Sequence, residues 1–274
     1  RMIMQQHLIA IDLDGTTLNN KSQLSPLTIQ TLRLISEQGH LVSIVTGRPF
    51  RTSSSFYRQL NIAAPMVNFN GALCHFPGNP NWLAGYHQDL DREIAFELFA
   101  NQEELEIDLL MAEGRDCLFT SSMNLPDSPY YPADVSDIDK LSRESLTYNP
   151  TALTIFSTEE KQPVIERNIN QHYGDFVSVR TWGGDFPVLE VVQKGINKAV
   201  GVETIAKFYR IPKSAIVAFG DEENDLEMLA YAGRGVVMKN GRDSVKAIAD
   251  EETKFSNDQD GLAKHLIELF ELDI

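Results

Sequence analysis

No stretch of this 274-residue chain approaches the roughly 18 consecutive apolar residues of a membrane span, and no secretory leader is expected ahead of its first apolar run. Cysteine is nearly missing. The two thiols, Cys74 and Cys117, stand far apart without metal-type spacing, which excludes a cysteine metal motif and predicts ordinary buried thiols in a reducing, cytoplasmic setting. The six histidines form no His-Glu-x-x-His pattern and read as surface or core residues. Basic residues number 24 against 39 acidic ones, and the net charge of −15 argues against nucleic acid or an anionic membrane as the main partner. A small phosphorylated ligand stays compatible, because a metal ion and a few local cations reverse the field inside one pocket. There is no internal repeat, and no low-complexity tract beyond Thr52-Ser-Ser-Ser55.

With 42% apolar and 23% charged residues, the chain has enough material for one large or two medium globular domains. Arg1, ahead of Met2, is set aside from the fold argument. The chain is organised around His7-Leu-Ile-Ala-Ile-Asp12-Leu-Asp14-Gly-Thr-Thr-Leu18, an apolar run ending in two carboxylates one residue apart. Such a run reads as a buried strand of a parallel sheet, and parallel sheets bind ligands beyond their carboxyl ends. Side chains two apart in an extended segment leave on one side, so Asp12 and Asp14 can converge on one object, and Gly15 then lets the backbone turn away. A polar loop with Asp14 capping a turn explains the same residues more plainly. Two carboxylates so close repel, however, unless a cation or a proton sits between them.

The run Asp12-Leu-Asp14-Gly15-Thr16 resembles the first motif of the haloacid dehalogenase-like hydrolases, whose phosphatases read Asp-x-Asp-Gly-Thr after an apolar strand. The elements that follow fit a doubly wound core. Ser25 and Pro26 start a helix that Gly39 closes. Leu41-Val-Ser-Ile-Val45 is a second strand, Thr46-Gly47-Arg48-Pro49 leads into another helix, and Met66-Val-Asn-Phe69 is a third strand. From about Trp82 the βα rhythm is lost. Helices are expected near 91–103, 137–145 and 159–173, and strands near 107–111, 117–120, 153–157, 177–181 and 188–192, with Pro126, Pro129 and Pro132 marking an irregular loop. The core pattern returns with a helix from about Asn197, the strand Ala215-Ile-Val-Ala-Phe219, a strand through Gly235-Val-Val-Met238, and a last helix capped by Asp260 that packs Leu262, Leu266, Leu269 and Phe270.

The family's second motif is a Thr or Ser at the end of the second strand, where Thr46 stands. Its hydroxyl and the Gly47 amide can donate to a phosphoryl oxygen, or simply cap and turn the chain. Arg48 steadies a substrate or pairs with an acidic neighbour. The third motif is a Lys at a helix start. Lys198 in Gly195-Ile-Asn-Lys198-Ala matches it best, with Lys194 as rival and a solvated surface lysine as the plain alternative; similar proteins have Lys-Gly where this chain has Lys198-Ala199. A cation is needed because an anionic Asp12 must approach an anionic phosphate. The fourth motif, Gly220-Asp221-x-x-Asn224-Asp225, follows a strongly apolar strand. Asp221 can complete an oxygen cage for Mg2+, Asn224 can hydrogen-bond a phosphoryl group, and Asp225 can hold a metal-bound water or Lys198; helix capping is the alternative for all three.

The insertion after the third strand resembles the cap of the Cof-type, or class IIB, subfamily, for which Asn70-Gly71-Ala72 is also typical unless it is only a β-turn. The resemblance implies an α/β fold: a doubly wound, Rossmann-like parallel-sheet core at 1–82 and 193–274 with an inserted α/β cap at 83–192. It implies a Mg2+-dependent phosphatase for small phosphomonoesters, with sugar phosphates as the leading class. In that reading Asp12 is the nucleophile that forms an aspartyl phosphate and Asp14 the general acid and base. The metal is held by Asp12, the backbone carbonyl of Asp14, and Asp221. The phosphate lies against Leu13, Thr46, Gly47, Lys198 and Asn224, with Asp225 behind them. Substrate contacts are expected from Arg48, Asn70 and a lip Arg180-Thr-Trp182-Gly-Gly-Asp185-Phe186, which is otherwise a hairpin turn. A phosphomutase on the same core and a non-catalytic sensor of phosphate ligands are the rival readings. The physiological substrate and the oligomeric state stay open.

Overall fold

Leu8–Ile11 (β1) is apolar on both faces and fully buried, as a central parallel strand requires. After a tight turn at 13–17 the chain forms α1 (Pro26–Glu37), β2 (Leu41–Ile44), α2 (Phe50–Leu60), β3 (Met66–Asn68), β4 (Leu73–His75) and β5 (Tyr86–His87). The inserted stretch holds α3 (Arg92–Ala100), β6 (Leu109–Glu113), β7 (Leu118–Thr120), β8 (Asp139–Lys140), β9 (Ala152–Phe156), α4 (Gln162–Tyr173), β10 (Val177–Thr181) and β11 (Val188–Gln193). The chain then returns with α5 (Lys198–Tyr209), β12 (Ile216–Gly220), α6 (Leu226–Tyr231), β13 (Arg234–Val237), α7 (Asp243–Lys246), β14 (Glu251–Glu252) and α8 (Gly261–Leu269). This computed structural model describes residues 4–115, 117–125, 138–182 and 187–274. It divides into two compact units, Arg1–Tyr86 with Asn197–Ile274, and His87–Ile196. Each junction lies four residues later than the limits at 82 and 192 drawn from the sequence.

The core unit is a parallel sheet in the order β14-β13-β12-β1-β2. From β1 the chain moves to β2 on one side and returns later to β12 on the other, so the strand order reverses at β1. That is the switch point where open α/β sheets take ligands. Ile9 and Ile11 pack with Leu32 and Ile35 of α1, Phe56 and Leu60 of α2 and Leu262 and Leu266 of α8. Leu8 and Ala10 face the opposite layer, with Val202, Ile205 and Ala206 of α5 and Met228 and Leu229 of α6. Ser25 caps α1, accepting from the Thr28 amide at 3.1 Å, with Pro26 in the first turn and Gly39 following at φ +96°. Two details depart from the sequence reading. β3 belongs to a small sheet β3-β4-β5 and joins β2 through a single parallel bridge, Val45 to Val67. Asp260 precedes α8 in a left-handed conformation, and its carboxylate accepts from Ser25 Oγ rather than capping the helix.

The inserted unit is a six-stranded sheet, β10-β11-β9-β6-β7-β8, antiparallel except between β7 and β8. One face carries Leu110, Ala112, Phe119, Leu153, Ile155, Leu189 and Val191, packed with residues of α3 and α4. The period of two along each strand sets Leu109, Met111, Leu118, Phe156 and Val188 on the other. The helix expected near 137–145 is absent from 138–145. That stretch begins with β8 and turns where Ser142 and Ser145 exchange amide-to-hydroxyl bonds of 3.0 Å each, a local side-chain alternative to helical pairing. Cys74 is buried as expected, whereas Cys117 is only partly so.

Candidate active site

Three strand ends deliver the core motifs to one edge. Ile11 lies opposite Phe219 and Ile44, and the Asp12 amide donates to the Phe219 carbonyl at 3.2 Å, so Asp12 leaves β1 beside the segment in which β12 ends at Gly220 and continues into Asp221. Gly15 sits at φ +75°, and a Cβ there would lie 2.2 Å from Asp221 Oδ2. Only glycine lets the turn pass that carboxylate. Thr16 Oγ1 donates to Asp221 Oδ1 at 2.8 Å, and Asn240 Nδ2 donates to the Gly15 carbonyl at 2.8 Å, fixing the turn from the far side.

Lys198 opens α5 after Asn197, whose side chain accepts from the Val200 amide. Its side chain is wholly buried, and its ammonium donates to Asp12 Oδ1 at 2.9 Å and to Asp225 Oδ1 at 2.7 Å. The rival, Lys194, is exposed. Ala199 stands where the motif has Gly, and the close approach of this helix comes at Gly201, where a Cβ would lie 2.5 Å from Val67 Cγ2. Asp225 Oδ2 accepts from the amides of Asp221 at 2.9 Å and Glu222 at 3.1 Å, so this fully buried carboxylate ties Lys198 to the turn after β12. Asn224 Nδ2 donates to Asn70 Oδ1 at 3.2 Å, and Asn70 is placed by the bond from its amide to the Thr46 carbonyl, 3.1 Å.

Among the described residues, Asp12, Asp221 and Asp225 form a group whose ligand atoms lie within 4.8 Å of one another. Asp12 and Asp225 share the Lys198 ammonium while Asp221 takes the Thr16 hydroxyl, and the electrostatics show the shortage of positive charge. Burial first, then Asp225, push Asp12 up to about 7 against the pull of Lys198. Burial, then Asp12 and Asp225, hold Asp221 well above the usual carboxylate range. Burial works against the charge of Lys198, but Asp12 and Asp225 outweigh it and hold the ammonium above its ordinary range. Asn224 Oδ1, also buried, has no hydrogen-bond partner. Crowded, buried carboxylate oxygens short of positive charge are the ligand set that suits a hard divalent cation with its waters.

Asp14 is placed apart from that trio. Its carboxylate pairs with Arg48 through Nη2 at 2.6 Å and Nε at 2.7 Å. The ligand expected of Asp14 is its backbone carbonyl, so this pairing leaves that expectation untouched. Thr46 Oγ1 accepts from the Arg48 amide at 3.0 Å, and Leu13, Thr46 and Gly47 are all buried beside the strand tips. In the inserted unit, Arg180 lies in β10 opposite Glu190, and Trp182 Nε1 donates to the buried Glu190 Oε2 at 2.9 Å. Asp185 lies outside the described residues. Thr16 and Asn240 were not singled out from the sequence. Thr16 is only a motif letter in the sequence and Asn240 only the first residue of an Asn-Gly pair, and neither signals a partner more than 200 residues away.

The sequence profile of the haloacid dehalogenase-like hydrolases matches residues 9–266. This chain belongs to that family. The hydrolase is 37% identical over 281 residues to 5-amino-6-(5-phospho-D-ribitylamino)uracil phosphatase YitU of Bacillus subtilis, with 99% of this chain and 100% of that one aligned. It is 28% identical to phosphatase YwpJ of the same organism, across 95% of this chain and 99% of that one. A haloacid dehalogenase-like hydrolase from Bacteroides thetaiotaomicron has the same fold, with a TM-score of 0.82 at 24% identity over 97% of this chain and 100% of that one. A subclass IIB sugar phosphatase superposes with a TM-score of 0.78 at 22% identity, over 97% and 99%. This hydrolase is accordingly a phosphatase of the Cof type, with a Rossmann-like core and an inserted α/β domain.

Proposed function

We propose that this hydrolase is a Mg2+-dependent phosphomonoesterase that works through an aspartyl phosphate on Asp12. The observation that carries the reading is the buried bond from Lys198 to Asp12 at a strand tip crowded by Asp221 and Asp225. A carboxylate at the sheet's switch point, steadied by an ammonium with no solvent exposure, suits in-line attack on phosphorus. Asp12, Asp221 and the backbone carbonyl of Asp14 would hold Mg2+, which supplies charge neutralisation between the nucleophile and the phosphoryl group. Lys198 holds Asp12 Oδ1 and adds the second positive charge. Thr46, Gly47 and Asn224 face the transferring group as hydrogen-bond donors. Asp14, with its side chain 29% exposed against 7% for Asp12, exchanges protons with the leaving oxygen and then with the attacking water.

The substrate class follows from the reading of the relatives: a small phosphorylated polyol or sugar, for which 5-amino-6-(5-phospho-D-ribitylamino)uracil is the leading candidate through the named activity of YitU. Arg180, Trp182 and Asp185 are the candidate contacts to the leaving group in the inserted unit. The test is phosphate release from a panel of sugar, polyol and nucleotide monoesters, with Mg2+ and with chelator. Mg2+-dependent release by the native enzyme and none by Asp12→Asn is the expected result. An isomerised sugar phosphate in place of inorganic phosphate would move the assignment to a mutase, and turnover by Asp12→Asn at the native rate would end it.

A further inference from the structure

Arg48 is held more completely than a substrate-gripping arginine needs to be. Its amide donates to Thr46 Oγ1 at 3.0 Å, and its carbonyl accepts from Asn68 Nδ2 at 2.9 Å and from the Phe69 amide at 3.3 Å. Asn68 is itself fully buried, donating also to Ser53 Oγ at 2.9 Å and pairing through Oδ1 with His75 Nε2 at 2.7 Å. At the other end, Nη1 donates to the Thr52 carbonyl at 3.0 Å, the guanidinium carbon stands 5.4 Å from the centre of the Phe56 ring, and Nε and Nη2 fork onto Asp14. The side chain is 6% exposed. Asp14, by contrast, rides a turn whose backbone breaks helical geometry at Asp14 and Gly15.

We infer that Arg48 is the positioning residue for Asp14: it acts on the reaction through the acid and base carboxylate and makes no contact of its own with the phosphoryl group. This rests on the assignment of Asp14 proposed above. Each guanidinium nitrogen has a fixed acceptor, together using three of the five N–H groups, and the planar fork matches a carboxylate in position and in plane. A carboxylate offers about four lone-pair sites, so the fork takes one on each oxygen and leaves the second for the proton in transit. Without the fork, the Asp14 carboxylate must be ordered anew in each turnover, and misplacement of a catalytic group costs rate rather than binding.

Two esters of one phosphoryl group separate this role from others. An alkyl phosphate needs a proton delivered to its leaving oxygen, whereas p-nitrophenyl phosphate departs as a stable anion. Arg48→Ala and Arg48→Lys are compared with the native enzyme in Mg2+. Both variants are expected to lose kcat on the alkyl ester, Arg48→Ala by about 100-fold, the lower end of what general acid and base catalysis contributes. In kcat/KM, which reports only the steps up to departure of the alcohol, the loss on p-nitrophenyl phosphate should stay below about threefold, while kcat falls on both esters because Asp14 also activates the water that hydrolyses the shared intermediate. In an Asp14→Asn background, removing Arg48 should cost the alkyl reaction nothing further. An equal loss of kcat/KM on both esters, a rise in KM alone, or additivity with Asp14→Asn overturns the inference. Should Arg48→Ala fail to fold, Arg48→Lys carries the same comparison. Native enzyme inert towards both esters would instead overturn the phosphatase mechanism beneath it.

Discussion

Asp221 is the residue where function and stability conflict most plainly. Its carboxylate is buried against Asp12 and Asp225, and the Thr16 hydroxyl offsets only part of that repulsion. Asp221→Asn keeps the oxygen that Thr16 donates to and removes a charge. In chelator the variant is expected to melt above the native enzyme, while phosphate release in Mg2+ falls by about 100-fold or more. A lower melting temperature in chelator would show that the trio is not under mutual repulsion. Gly15→Ala approaches the same carboxylate from the backbone. The new methyl lies 2.2 Å from Asp221 Oδ2 on a residue at φ +75°, so either the carboxylate or the turn must move. The expected outcome is a loss of more than about 1 kcal/mol in chemical unfolding, together with weakened Mg2+ dependence of turnover.

Elements, rather than single residues, set the distance between Lys198 and Asp12. The turn after β3 presses Gly71, at φ +109°, against the start of α5, where an added Cβ would stand 2.2 Å from the Asn197 carbonyl. Gly71→Ala therefore pushes on the residue next to Lys198. We expect kcat to fall by about 100-fold, the scale of a 1 Å misplacement, with the circular dichroism of the native fold retained. Unchanged kcat would mean that α5 is positioned by Gly201 against Val67 alone. Much of this architecture was readable in advance. β1, β2 and β12 are apolar runs ending in motif residues, so their identity and their shared edge follow from burial on both faces. What could not be read was pairing without a pattern. Three residues of β3 carry no periodicity, and nothing in them says that a single bridge joins them to β2. The stretch after Asp137 has the composition of a polar helix, and the serine pair that breaks it acts through side-chain bonds that hydropathy does not register. At the site, the motif letters were legible. The acidic group drawn together by Lys198 was legible only in part, because Asp225 offers a cap, a metal or an ammonium the same carboxylate until the fold chooses.

On the scale of the whole molecule, the crowded carboxylates make stability fall as pH rises unless a divalent ion replaces the protons they retain. Asp12 rises in the folded chain from 3.8 to about 7, and Asp221 is also raised. Between the unfolded and folded values the native state binds more protons than the unfolded chain. That stabilisation is fully present below the unfolded value and is lost as pH rises through about 7. In chelator, therefore, the core unit, Arg1–Tyr86 with Asn197–Ile274, is expected to weaken on going from about pH 6 to about pH 8. A bound divalent ion cancels that slope. It must expel the retained proton to bind, so its affinity grows over the same interval, and at 100 times its dissociation constant it adds about 2.7 kcal/mol. Urea midpoints measured at both pH values should fall with pH in chelator and stay level in saturating Mg2+. Hydrogen exchange should place the Mg2+ protection in the core unit and leave 87–196 unmoved. Parallel slopes would mean that the ion binds away from Asp12 and Asp221, and the three carboxylates would then need another account of why they are buried together.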